Sequence, residues 1–258
     1  NKTRFITGAT AGVGEATALK FAKEGDRIII TGRRKERLDN LKTTIEKDFG
    51  VDVFPLHFDV RDEAAVKASV DSLPENWKKI DVLVNNAGLA SGLDPIQSGS
   101  TVDWNKMIDT NVKGLLYVSQ AVIPGMIAQK SGHIINIGST AGKEVYPNGN
   151  VYCATKAAVE ALTKSIRLDL FKHNIRVSQV SPGHVEETEF ALVRFDGDAE
   201  RAKIYEDFKP LTSRDVAETI FFIASRPPHV NIQDVLLMGT QQAGSNFIDR
   251  SGRKEEEE

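Results

Sequence analysis

Seven short runs of β-branched and aliphatic residues punctuate the chain, at 4–7, 27–31, 51–58, 80–84, 133–137, 175–180 and 235–238. Several are apolar at successive positions, such as RIIIT at 27–31, IDVLV at 80–84 and HIINI at 133–137. Strict alternation would signal a strand with one wet face, whereas a continuous apolar run signals a strand covered on both. Between the runs lie amphipathic stretches at about 11–24, 34–48, 62–72, 101–129, 151–173 and 213–225, which predict helices. Thr212-Ser213-Arg214-Asp215 offers a capping start for the last of these. Parallel strands need long crossovers, and helices supply them. The alternation therefore predicts a single-domain α/β fold: a doubly wound, parallel, seven-stranded sheet with helices on both faces.

Two segments break the rhythm. Residues 89–100 form a loop after the fourth strand, and residues 182–212 form a long insertion after the sixth. Both lie at carboxyl ends of strands, where open α/β sheets bind ligands. Phe190, Leu192, Val193, Phe195, Ile204, Tyr205 and Phe208 give the insertion enough apolar surface to predict a partly helical lid at about 184–212. No Pro/Gly/Ser-rich linker or internal repeat interrupts the chain, so one domain is expected over 1–253, with a charged tail at 254–258.

Composition narrows the possible functions. The 258 residues are 40% hydrophobic, enough for a sizeable core. The net charge is −3, and residues 254–258 account for all of it. A neutral body argues against a nucleic-acid partner. No apolar run approaches the roughly 20 residues that span a bilayer, so no membrane partner is expected. The five histidines and the lone Cys153 lack metal-site spacing, and no metal is expected. A single cysteine fits a reducing, cytoplasmic setting, with Cys153 a buried filler. The chain begins with Asn1 rather than Met, which leaves open a removed targeting segment.

The first strand runs into Thr7-Gly8-Ala9-Thr10-Ala11-Gly12-Val13-Gly14, which opens the first helix. Gly8 permits a tight turn, Gly12 lets backbone approach a pyrophosphate, and Gly14 lets helix pack on strand. A helix N-terminus then faces the phosphates with free N–H groups, as in Rossmann folds. The spacing is T-G-x-x-x-G-x-G, and further elements follow it in order. These are Asp59-Val60, Asn85-Asn86-Ala87-Gly88, Asn111, Ser139, Tyr152-x-x-x-Lys156, and Pro182-Gly183 followed by Val185 and Thr188. In these motifs the chain resembles the short-chain dehydrogenase/reductase family over nearly its whole length. The resemblance implies an NADP- or NAD-dependent enzyme acting on CH–OH groups. It implies cofactor contacts from Gly8, Thr10, Gly12, Val13, Gly14, Asp59, Val60, Asn86, Ala87, Gly88, Tyr152, Lys156, Pro182, Gly183, Val185 and Thr188.

The second strand favours the phosphorylated cofactor. NAD-specific sites place an acid near its end to hold the ribose 2′-OH. This chain reads Thr31-Gly32-Arg33-Arg34 there. A guanidinium fork suits a 2′-phosphate, and a cation at a helix N-terminus has no structural advantage of its own. Arg33 and Arg34 therefore predict NADP(H).

Tyr152 and Lys156 are four apart on an expected helix and share a face. A neighbouring ammonium is expected to lower the phenol's pKa, so that Tyr152 can exchange a proton with the substrate oxygen. Ser139, placed thirteen residues before Tyr152, can donate to that oxygen. By resemblance, Lys156 also holds the nicotinamide ribose, and Asn111 holds a water that links Lys156 to solvent.

The C-terminal third, with Arg194-Phe195-Asp196-Gly197 and Gln241-Gln242, is similar to the NADP-dependent 3-hydroxy acid dehydrogenase subgroup. That implies L-serine, L-allo-threonine, 3-hydroxypropionate or malonic semialdehyde as substrates. A carboxylate substrate needs a cation, and Arg194 is the candidate clamp, with Gln241 a neutral helper. The alternative for Arg194 is a surface pair with Asp196, Asp198 or Glu189. Two further functions compete: a broad carbonyl or secondary-alcohol reductase, and a non-catalytic NADP-sensing protein. Ser139, Tyr152 and Lys156 argue against the sensor. The resemblance also implies a homotetramer built on helices 101–129 and 151–173.

Overall fold

The structure, a computed structural model, describes residues 1–254; positions 255–258 of the expected tail lie outside the described residues. The chain runs β1 (Thr3–Ile6), α1 (Gly12–Lys23), β2 (Arg27–Gly32), α2 (Lys35–Phe49), β3 (Val53–His57), α3 (Glu63–Asp71) and β4 (Val82–Asn85). It continues through α4 (Thr101–Ile108), α5 (Leu115–Ala128), β5 (Gly132–Ile137), α6 (Asn150–Leu170) and β6 (Ile175–Pro182). It closes with α7 (Phe190–Arg194), α8 (Ser213–Ala224), β7 (Asp234–Leu237) and a small antiparallel pair, β8 (Gln242–Gly244) and β9 (Phe247–Ile248). The main sheet has the order β3-β2-β1-β4-β5-β6-β7, and every pairing in it is parallel. All seven expected strands are present, within a residue or two of their predicted limits.

The unbroken apolar runs have a direct physical cause. Successive side chains of a strand point to opposite faces. Ile28 and Ile30 enter one buried cluster with Phe21, Ile220 and Ile223, while Ile29 enters another with Leu83, Val118 and Met126. The first cluster lies under α1, α2 and α8, the second under α3, α5 and α6. Thr212 and Asp215 form the expected capping box: the Asp215 N–H donates to the Thr212 hydroxyl at 3.3 Å, and the Thr212 N–H to the Asp215 carboxylate at 2.7 Å.

One predicted helix is not continuous. The stretch 101–129 is interrupted by a π-helical segment, Asp109–Gly114, between α4 and α5. Such a wide turn interrupts the i→i−4 ladder locally and is often found at functional sites. Asn111 lies inside it. The insertion is mostly turns; its one helix, α7, is a single turn and a half long.

Candidate active site

The loops at the carboxyl edge of the sheet enclose one large cavity of about 840 Å³. One end is built by the turn after β1. Gly8 takes φ +62°, a left-handed conformation that costs glycine little, and a Cβ on Gly14 would run into the Gly8 carbonyl. The turn is braced from β4: the Thr7 hydroxyl accepts from the Asn86 and Ala87 N–H groups, and the Asn86 amide donates to the Thr7 and Gly8 carbonyls at 3.1 and 3.2 Å. Gly8, Thr10, Gly12 and Val13 line the cavity; Gly14 stands behind them, where it lets α1 pack close.

Arg33 and Arg34 line the same end. Arg34 is already engaged. One of its nitrogens donates to the Thr10 hydroxyl at 3.0 Å, and another pairs with Glu189 at 2.8 Å. Arg33 is exposed, and its backbone carbonyl meets the His57 ring at 2.9 Å. Asp59 and Val60 form the neighbouring wall. Asp59 is bound by Arg61 at 2.6 Å; burial would raise its carboxyl, but Arg61 outweighs that and holds it below the usual carboxylate range.

The middle and far end gather the expected catalytic groups. Ala87, Gly88, Ser139, Tyr152, Lys156 and Pro182 all border the cavity, as do Gly183, Val185 and Thr188. Lys156 donates to the Ile137 carbonyl at 3.0 Å, and burial pushes its ammonium down to about 8. Asn111 does not border the cavity. Its amide donates to Leu89 O and Thr155 Oγ1, and its carbonyl oxygen accepts from Leu89 N at 2.9 Å, so it braces the loop after β4. A Cβ on Gly88 would sit 3.3 Å from Asn111 Oδ1 and 3.4 Å from Lys156 Nζ, which places the two side chains together behind that glycine.

The expectation for Tyr152 needs correction. Its phenol is pushed up, not down. Burial is the main cause and Tyr146 adds to it, while a hydrogen bond with Ser139 and the charge of Arg194 pull the other way. The lysine shares the helix face, yet low-dielectric burial outweighs any help it gives the phenolate.

Arg194 is the last residue of α7 and points inward. Its guanidinium carbon lies 5.4 Å from the Tyr146 ring centre and 5.6 Å from that of Tyr152. Nε donates to Gly92 O at 3.2 Å, and the side chain hydrogen-bonds the Tyr146 phenol. Nη2 is buried with no partner. None of the expected surface pairs with Asp196, Asp198 or Glu189 is formed.

Gln241, the expected helper, does not face the cavity. Its oxygen accepts from the Lys209 and Lys254 N–H groups, both at 3.0 Å, and its amide donates to Asp249 O and Gly252 O. It fastens the chain's end to the insertion instead. Its partners, at positions 209, 249, 252 and 254, converge on it only in the folded chain.

The sequence reading missed several wall residues. Tyr146, His184, Tyr205 and Arg250 border the far end of the cavity. Burial pushes His184 down to about 4, and Arg250 and Arg194 add to the effect, so its ring is neutral at physiological pH. Tyr146, six residues before Tyr152, and His184, directly after Pro182-Gly183, adjoin motifs that were legible. Arg250 carried no local signal. Among the described residues no group of histidines, cysteines and carboxylates could hold a metal.

The short chain dehydrogenase profile matches residues 2–197, most of the chain and all the motifs just placed. The chain belongs to the short chain dehydrogenase family. A curated NADP-dependent 3-hydroxy acid dehydrogenase of Salmonella typhi is 49% identical over 240 residues, covering 93% of this chain and 95% of that one. A sulfoacetaldehyde reductase of Chromohalobacter salexigens is 47% identical over 249 residues, covering 95% and 98%. A solved serine dehydrogenase, in a closed form complexed with NADP+, superposes with a TM-score of 0.90 at 45% identity over 95% of this chain and 97% of that one. In this dehydrogenase the residues at the first end of the cavity fit a phosphorylated dinucleotide. The glycine turn leaves backbone bare at a helix N-terminus, and no acid stands at the end of β2, where Arg33 faces the cavity.

Proposed function

We propose that this chain is an NADP(H)-dependent dehydrogenase of short 3-hydroxy acids, interconverting a 3-hydroxyl and a 3-oxo carbon. L-serine, L-allo-threonine and 3-hydroxypropionate with its semialdehyde are the substrate types. Gly8, Thr10, Gly12, Val13, Arg33, Asp59, Val60, Asn86, Ala87, Gly88, Lys156, Pro182, Gly183, Val185 and Thr188, all on the cavity wall, would hold the cofactor. Bound there, it supplies or accepts the hydride.

The chain's own groups handle the proton and the charge. Tyr152, a neutral phenol in its buried setting, donates a proton to the oxygen of a 3-oxo acid, or takes one back from the hydroxyl in the reverse direction. Ser139 shares that oxygen by hydrogen bonding. Lys156, four residues further along the same helix and on the wall of the same cavity, supplies the positive charge that favours the phenolate left behind. Asn111, beside Lys156, orders the water that returns its proton to solvent.

The observation that carries the substrate class is Arg194. An unpartnered guanidinium nitrogen, nearly sealed from water and packed against Tyr152, calls for an anion. Such an anion would sit close to the reacting carbon, since the guanidinium packs on the Tyr152 ring. A carboxylate meets this need, and a sulfonate does so with the same spacing. In Arg194→Leu, kcat/KM for 3-hydroxypropionate should fall roughly a hundredfold or more, as when one side of a buried charge pair is truncated. An uncharged alcohol of the same length should be spared. Equal loss for both would remove the carboxylate preference and leave a broad carbonyl reductase.

The assembly is proposed to be a homotetramer in the cytoplasm. The apolar residues exposed on α4 to α6 and the free, buried Cys153 are consistent with this. Among the described residues, no helix is long and apolar enough to cross a membrane.

A further inference from the structure

The insertion is fastened across the cavity at two points, and one of them uses Arg34, a residue expected to serve the cofactor. Glu189 stands at the first position before α7, with its side chain turned to arginines rather than to the helix's own N–H groups. One of its carboxylate oxygens accepts from Arg34 at 2.8 Å and the other from Arg37 at 2.7 Å. The partners come from segments 152 residues apart. Burial would raise this carboxyl, yet the hydrogen bonds from Arg37 and Arg34 prevail and hold it below its ordinary range. Next to it, Thr188 lies over the phosphate-binding turn, so close that a Cβ on Gly12 would stand 3.3 Å from the threonine Cβ. At the other end of α7, Arg194 donates to Gly92 O through its side chain, and its own carbonyl accepts from Gly92 N at 2.9 Å. The short helix thus forms a strap with an ionic clasp at the phosphate end and a hydrogen-bonded clasp beside Tyr152.

The ionic clasp is half exposed. Glu189, Arg34 and Arg37 retain 36%, 42% and 47% of their side-chain surface. Exposed ion pairs hold weakly and respond to salt. Weak holding suits a fastening that must open for the cofactor to enter and leave.

We propose that Glu189 is a positioning residue, whose pairing with Arg34 and Arg37 latches the strap over the bound dinucleotide and sets how fast that dinucleotide departs. The inference rests on the reading that NADP(H) occupies this cavity. It divides the arginines: Arg33 is left for the 2′-phosphate, while Arg34 and Arg37 hold the strap. The latch therefore acts on the phosphorylated and unphosphorylated cofactors alike.

The test is cofactor release by stopped-flow fluorescence without substrate, on Glu189→Gln, Arg37→Gln and the unaltered chain, for NADPH and NADH. Glu189→Gln should release both two- to tenfold faster. Arg37→Gln removes only the outer pair from a side chain outside the cavity wall, and should give a smaller change in the same direction. Salt should speed release from the unaltered chain more than from Glu189→Gln. Proteolysis of the NADPH complex near Arg201 should quicken in both variants. Unchanged release would overturn the latch. So would slower NADPH release with NADH unaffected, because it would mean that Glu189 merely competes with the 2′-phosphate for Arg34. Failure of the unaltered chain to bind either dinucleotide would instead overturn the cofactor reading beneath it.

Discussion

Arg33 and Arg34 stand side by side after β2, yet their surroundings give them different work. Arg34 is spent on Thr10 and Glu189, whereas Arg33 borders the cavity and is open to solvent. A guanidinium–phosphate hydrogen bond is worth about 1.5–3 kcal/mol. In Arg33→Ala the NADPH KM should therefore rise about tenfold or more, and the NADH KM far less. Steady-state kinetics with both cofactors checks this; equal effects would count against a 2′-phosphate contact. The residue types were plain in the chain: a cation pair where an acid would select NAD. Which of the two arginines is free was not, because the partner that engages Arg34 is Glu189, far along the sequence. Tyr152 and Lys156 teach the same lesson. Their helical spacing was legible, but the phenol's upward shift depends on how fully the insertion and the loop after β5 bury it.

At the scale of elements, periodicity located helices and strands well and their interruptions poorly. The stretch 101–129 reads as one amphipathic helix, and the π-helical segment inside it leaves no periodic mark. What it accomplishes is tertiary: it places Asn111 where the amide can reach Leu89 and Thr155. The outer faces of these helices carry a further expectation. Leu168 on α6 and Phe171 just beyond it remain 73% and 59% exposed, on an element expected to pack against another copy. Exposed apolar side chains this close together are common where a surface is covered by a partner. If the proposed tetramer forms through this face, Leu168→Asp combined with Phe171→Asp should yield smaller species at micromolar concentration, as read by light scattering. An unchanged mass would place the interface elsewhere.

For the molecule as a whole, buried histidines make stability depend on pH. His133 lies on β5, fully buried, with its Nε2 2.7 Å from the Ser178 hydroxyl. Burial pushes it down to about 3, with Arg176, Arg4 and Lys2 adding to the shift. Between that value and the ordinary pKa near 6.5, the unfolded chain binds a proton that the folded one refuses. Stability therefore rises with pH over this window. It is fully present above about 6.5 and declines as the pH falls, by up to about 1.4 kcal/mol per pH unit for each such histidine. His184, at about 4, acts in the same direction over a narrower range. Thermal melting from pH 7 to pH 4 should show a steady fall in Tm, and His133→Gln should flatten it. Parallel curves would mean that acidic groups alone account for the loss.

The chain by itself determined the architecture and the kind of chemistry. Runs apolar on both faces, as at 27–31, 80–84 and 133–137, call for a sheet covered on both sides, and a glycine-bare turn before a helix is suited to phosphate. Both conclusions follow from local spacing, which neighbouring residues carry with them. The tertiary structure decided the partners. Gln241 turned away to fasten the chain's end, Arg194 lost its expected surface acids and gained Tyr146 and Tyr152, and Glu189 took Arg34 and Arg37. Each outcome depends on where side chains from distant segments converge and on how much water they exclude. Desolvation and ion pairing are set by that convergence, not by order along the chain.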